Sequence, residues 1–248
     1  MMRALWLAVV ITLAGCVSVS EPDISDAQRA DRVRTLTTLA LGYIEQGTFD
    51  LAVEPLQRAL ALSPTDREAM LAQAVMLERQ GDTPQAIASY QSLFDEHADF
   101  TRGRQIYANF LFSNGQIEQA CAQLESVVAD TLYPSRAQAF ENLGQCRNRL
   151  GDSTAAAAAF ERAYRLDARR PAANLALSEI RFLENDVQQA AFHYTQFLRA
   201  APQDARSLWI GIRIADAIGD IDSQASYELR LRQQFAGTEQ HARWLEWQ

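Results

Sequence analysis

The 248-residue chain contains no lysine: all 23 basic residues are arginine, a bias of composition that carries no functional reading. Histidine is almost as scarce. His97, His193 and His241 are far apart and in no ligand-like spacing, so no metal site is expected. There is no Walker loop, HExxH, GxSxG or Rossmann glycine pattern, which leaves nucleotide, zinc-hydrolase, serine-hydrolase and dinucleotide chemistry without a local signature. Carboxylates are plentiful, but without a cleft a catalytic pair reads the same as solvated helix faces. The expectation is a protein that is not an enzyme and holds no cofactor. A membrane-spanning run is missing too: the stretch from Ala4 to Gly15 is free of charge but would make a helix of only about 18 Å against the roughly 30 Å of a bilayer core. The net charge of −8 argues against nucleic acid as a partner. With 48% of the residues hydrophobic, the chain can still build a sizeable core.

What is present at the start is MMRALWLAVVITLAGC, one positive residue, Arg3, then the uncharged run, then small residues at Ala14 and Gly15. That is the build of a secretory signal peptide that is removed. The order LAGC at residues 13–16 resembles the bacterial lipobox, in which the signal is cut just before a cysteine that then carries acyl chains. The resemblance implies a signal over 1–15 and Cys16 as the first mature residue, bearing palmitate-type chains and tying the protein to a membrane. An ordinary signal peptide with an accidental cysteine is the alternative. Each buried methylene is worth roughly 0.8 kcal/mol and stable anchoring takes more than one chain, so a multiply acylated cysteine suffices without a spanning helix. In such lipoproteins an Asp after the cysteine commonly retains the protein in the inner membrane. Val17 and Ser18 stand here instead, which points to the outer membrane, with the body in the periplasm. Loss of the signal removes Arg3 alone among charged residues and moves the net charge from −8 to −9.

The architecture follows from a period. Gly47, Gly81, Gly115, Gly151, Asn185 and Gly219 are separated by 34, 34, 36, 34 and 34 residues and begin the dipeptides GT, GD, GQ, GD, ND and GD, as turns between helices require. Thirty-four residues is the tetratricopeptide period. Six repeats are expected at 33–66, 67–100, 101–134, 137–170, 171–204 and 205–238, after a flexible polar tether over 16–32 and before a tail at 239–248. Small residues such as Ala40, Ala52 and Ala59 recur where paired helices must approach closely. The sixth repeat is degenerate, with Gln224 and Glu228 at positions usually small and aromatic, as a capping repeat would be. The fold class is all-α, a superhelical α-solenoid. Trp244, Leu245 and Trp247 of the tail can lie over the end of the stack.

Two features of that stack bear on function. Cys121 and Cys146 fall at positions that face each other between repeats three and four, which leaves two readings: a disulfide formed where exported proteins fold, or two buried thiols acting as small hydrophobes. The concave face, lined by positions 2, 5, 9 and 12 of each first helix, carries Arg34, Thr37, Leu41 and Ile44 in repeat one, then Glu68, Leu71, Val75 and Glu78 in repeat two. Leu41, Ile44, Leu71 and Val75 read as an apolar strip sized for an amphipathic peptide or helix, unless the tether or helix packing covers it. Further along, Gln105, Asn109, Gln138, Glu141 and Gln145 make the face polar, with Phe112, Phe182 and Trp209 as isolated apolar points.

Two longer segments, DTLYPSRAQAFENLGQC at 130–146 and DARSLWIGIRIADAIGDIDSQASYELRLRQQF at 204–235, closely resemble the corresponding parts of the type IV pilus biogenesis and stability lipoproteins, the PilF/PilW pilotin family. The insertion at TLYPSR that lengthens the third interval is a feature of that family. The resemblance implies a monomeric outer-membrane lipoprotein that binds the type IV pilus secretin. It implies that the protein promotes secretin localisation and multimerisation, and is needed for pili and twitching motility. Partner capture in the family is associated with the N-terminal repeats, where the strip lies. Another tetratricopeptide lipoprotein, serving outer-membrane protein assembly or murein synthesis, would share the anchor and repeats but not these two segments. A wall hydrolase is the third class, and six repeats leave it no second domain to form a cleft.

Overall fold

The computed structural model describes residues 25–248; the segment expected to be a signal peptide and lipobox, with Cys16, lies outside the described residues. These residues form thirteen helices and, among them, no strand. The chain divides into two units. The first, through Ala72, holds α1 (Asp26–Glu45), α2 (Phe49–Leu62) and the start of α3 (Arg67–Arg79). The second, from Gln73, holds the rest of α3 and α4 (Thr83–Glu96), α5 (Thr101–Ser113), α6 (Ile117–Ala129), α7 (Arg136–Arg149), α8 (Ser153–Leu166) and α9 (Pro171–Leu183). It continues through α10 (Val187–Ala200), α11 (Ala205–Ile218), α12 (Ile221–Gln234) and α13 (Glu239–Trp247).

The periodic dipeptides explain the helix pairs. Each of the six turn residues takes a left-handed backbone, with φ between 63° at Asn185 and 80° at Gly81, which ends the first helix of its pair. Glycine adopts that conformation without a Cβ penalty, and asparagine is the usual substitute. Where the next residue is aspartate, it caps the second helix: Asp82, Asp152, Asp186 and Asp220 accept from the backbone N–H of Gln85, Ala155, Gln189 and Ser223. One dipeptide thus stops one helix and starts the next.

Packing then uses the small residues. Ala40, Ala52 and Ala59 in the first unit, and Ala86, Ala120, Ala156, Ala163 and Ala190 in the second, are fully buried. In the second unit a cluster of Ala156, Phe160, Ala163, Ala173 and Leu177 joins the pair α7/α8 to α9, and Leu175, Tyr194, Phe197, Ile210 and Ile214 join α9/α10 to α11. At the C-terminus Leu208, Ile212 and Leu231 pack with Trp244.

Two terminal expectations change. Residues 26–32 are helix rather than tether, because Ser25 and Gln28 form a capping box: Ser25 Oγ accepts from Gln28 N at 3.3 Å and Gln28 Oε1 accepts from Ser25 N at 3.0 Å. The polar composition of SDAQ hid a helix start. At the other end the tail is a helix, with Trp244 buried and Trp247 edge-on to Trp209 at 5.9 Å, whereas Leu245 is exposed. The sixth repeat's odd polar pair is internally satisfied, Gln224 donating to Glu228 at 3.0 Å.

Candidate functional site

The strip read from the sequence is only partly available. On α1, Arg34 is exposed and pairs with Asp31, Leu41 is half-buried, and Thr37 and Ile44 are buried. On α3, Leu71 is buried and Val75 half-buried. Thr37 and Ile44 belong to the core face because Val33, Thr37, Ala40 and Ile44, spaced by four, three and four residues, form one helical stripe. Positions 5 and 12 fall on that stripe and positions 2 and 9 beside it, so of the four apolar residues Leu41 in the first unit and Val75 in the second are left half-buried. Glu78 is also half-buried; it accepts a 2.7 Å hydrogen bond from Tyr90 Oη, and burial holds its carboxyl above the usual range. Glu141, expected on the open face, is buried and ion-paired with Arg170 at 2.5 Å.

Cys121 on α6 and Cys146 on α7 are brought together. Both are buried and their Cα atoms are 5.7 Å apart, within the spacing of a disulfide. Among the described residues, no three His, Cys, Asp or Glu side chains gather as a metal site would require.

His193 lies at an open pocket of about 380 Å³ between α8, α9 and α10, with Glu161, Tyr164, Leu177 and Arg181 around it. Asn174 Nδ2 donates to the carbonyls of Ala168 and Arg170, which turns Asn174 Oδ1 toward His193 Nδ1 at 3.1 Å. The neutral ring therefore carries its proton on Nδ1. Burial first, and then the Arg181 charge, push the imidazole below its ordinary value, with Glu161 opposing. The folded ring thus refuses a proton that the unfolded ring accepts, so stability is expected to fall as pH drops below about 6.5. Urea midpoints between pH 7.5 and 5.5 check this; the slope should flatten in His193→Gln, and an unchanged slope would assign the loss to other groups.

A third cluster was not legible as a cluster. On α9 and α11, Arg213 lies over Phe182, 4.4 Å from the ring centroid, and 5.7 Å from the centroid of Trp209. Trp247 of α13 completes it against Trp209. Phe182 and Trp209 stood out in sequence as separate apolar points; the signal for their meeting was positional, since Phe182, Trp209 and Arg213 occupy positions 12, 5 and 9 of neighbouring first helices.

Helix pairs at a 34-residue spacing, closed by left-handed turns and packed through alanines, define a tetratricopeptide repeat protein. The model of the tetratricopeptide repeat family matches residues 37–99 and 108–173. The type IV pilus assembly protein PilF of Pseudomonas aeruginosa is 30% identical over 237 residues, spanning 95% of this chain and 94% of PilF. A solved structure of Pseudomonas aeruginosa PilF superposes with a TM-score of 0.83 at 29% identity, covering 89% of this chain and 100% of that one. PilW, a type IV pilus biogenesis factor, shares the fold, with a TM-score of 0.67 at 23% identity over 86% of this chain and 98% of its own. The chain belongs to the PilF/PilW family of type IV pilus tetratricopeptide proteins.

Proposed function

We propose that this protein is an outer-membrane lipoprotein, acylated at Cys16, that binds the type IV pilus secretin and promotes its localisation and multimerisation in the outer membrane. The observation that carries the reading is the end-to-end match to PilF, a type IV pilus assembly protein, over 95% of the chain. The LAGC order supports the anchor, because a bound secretin subunit would be delivered to the bilayer that holds Cys16. Binding without catalysis accords with the repeat architecture, whose side-chain faces are surfaces rather than clefts. In the first unit, exposed Arg34 and half-buried Leu41 of α1 are the positions proposed for partner contact, and in the second unit Val75 of α3. Ile44, Thr37 and Leu71 support them from the core, so glutamate at Leu71 would test folding rather than binding.

The experiment is an unboiled gel of separated membranes from a strain lacking the gene, complemented with the wild-type or the Cys16→Ala chain. The deletion is expected to lose the heat-resistant secretin multimer or leave it in the inner membrane. Cys16→Ala should be unacylated, absent from the outer membrane and unable to restore the multimer there. A normal outer-membrane multimer in the deletion strain would put assembly-machine or murein roles first.

A further inference from the structure

The C-terminal cluster holds an arginine stacked on two aromatic rings. Arg213 forms no ion pair or hydrogen bond among the described residues, although the chain has 31 acidic residues. Its neighbours on the same two helices are satisfied: Arg181 pairs with Glu161 and Glu184, and Arg206 pairs with Glu179. Asp216, three residues on in α11, forms no ion pair with it, so Arg213 is left open to a counter-charge from another molecule. The guanidinium is also oriented. Phe182 and Trp209 both hold it, which leaves its N–H edge for a planar acceptor, and a stacked, preorganised arginine loses less freedom on forming a bidentate pair than a lysine would.

An apolar contact lies beside the charge. Trp247 is 41% exposed and edge-on to Trp209, and it is placed by its own helix. That helix starts at Thr238, whose hydroxyl caps His241 N–H at 3.3 Å, and is pinned by Trp244 in the cluster with Leu208, Ile212 and Leu231. Tryptophan and arginine are the side chains that dominate binding energy at interfaces. We propose that Phe182, Trp209, Arg213 and Trp247 form a second docking surface, separate from the N-terminal repeats, for an acidic peptide segment of a protein partner. An aspartate or glutamate of that segment pairs with Arg213, and a neighbouring apolar side chain rests on Trp247. This surface stands whether or not the secretin reading holds.

The test uses the full chain in detergent and random dodecapeptides displayed on phage. Selected peptides should be enriched in Asp or Glu next to apolar residues. The best of them, synthesised, should shift tryptophan fluorescence and bind about tenfold more weakly when its acidic residue is changed to the amide. Arg213→Gln and Arg213→Lys should each weaken it by a similar factor, and Trp247→Ala should weaken it while the unfolding midpoint stays put. Peptides without acidic enrichment, or unchanged affinity in Arg213→Gln of wild-type midpoint, would overturn the proposal. So would binding blocked because this face joins two copies of the chain in solution.

Discussion

Gly211→Ala is expected to destabilise the protein by about 3 kcal/mol, from overpacking together with hydrogen bonds lost around Tyr194. A Cβ on Gly211 of α11 would stand against the Tyr194 ring of α10, 2.6 Å from Cζ and closer still to Oη. The ring cannot swing aside cheaply. Its hydroxyl donates to the Ser207 carbonyl at 2.8 Å and accepts from Gln203 Nε2 at 2.6 Å, and the ring packs with Phe197 and Ile210. Glycine here serves contact between repeats rather than a turn, since Gly211 lies inside a helix. The urea midpoint followed by circular dichroism checks the size. Tyr194→Phe alone should cost about 1 kcal/mol, and the double variant should fall short of the sum by about 1 kcal/mol because the hydroxyl causes part of the clash. Strict additivity would mean that the two residues do not meet as described.

Removal of the link between α6 and α7 comes next in size. We propose that Cys121 and Cys146 are oxidised, as their 5.7 Å Cα separation permits. The bridge closes a loop across a sequence separation of 25, and the chain-entropy model assigns it about 3 kcal/mol. Replacing both cysteines by alanine should therefore lower the urea midpoint, and a reductant should lower the wild type to the same point while leaving the double variant untouched. Alkylation of the isolated protein followed by peptide mass mapping reads the redox state directly. Both residues alkylated without prior reduction would sink the disulfide and leave two buried thiols. The junction lies beside the insertion at TLYPSR, where the 34-residue spacing is broken. Tyr133 N–H donates to Asp130 O there, and Arg136 reaches back to the Val128 carbonyl at 2.8 Å, so the added residues are tied into a closed turn.

The surface positions were less legible than the helices. A 3.6-residue period shows that α1 has an apolar stripe, but not whether a residue on its edge faces solvent or a neighbour, and Ile44 and Leu71 proved to be core. The start of α1 was hidden because Ser25, Asp26 and Gln28 are as common in linkers as in caps. Arg213 was invisible because its meaning depends on Phe182 and Trp247, which are 31 residues before it and 34 after it.

The sequence by itself determined the repeat. Its marks are local: a glycine or asparagine able to take positive φ, an aspartate one residue later to cap the next helix, and alanines at fixed offsets for close approach. Each acts within a few residues of chain, so each can be read in order. Only the tertiary structure decided which faces were spent on packing, that Cys121 meets Cys146, that the C-terminal helix is held by Trp244, and that α9 and α11 bring two aromatic rings to Arg213. Those outcomes depend on side chains from different repeats filling one volume, and no periodicity along a single chain records what lies across it.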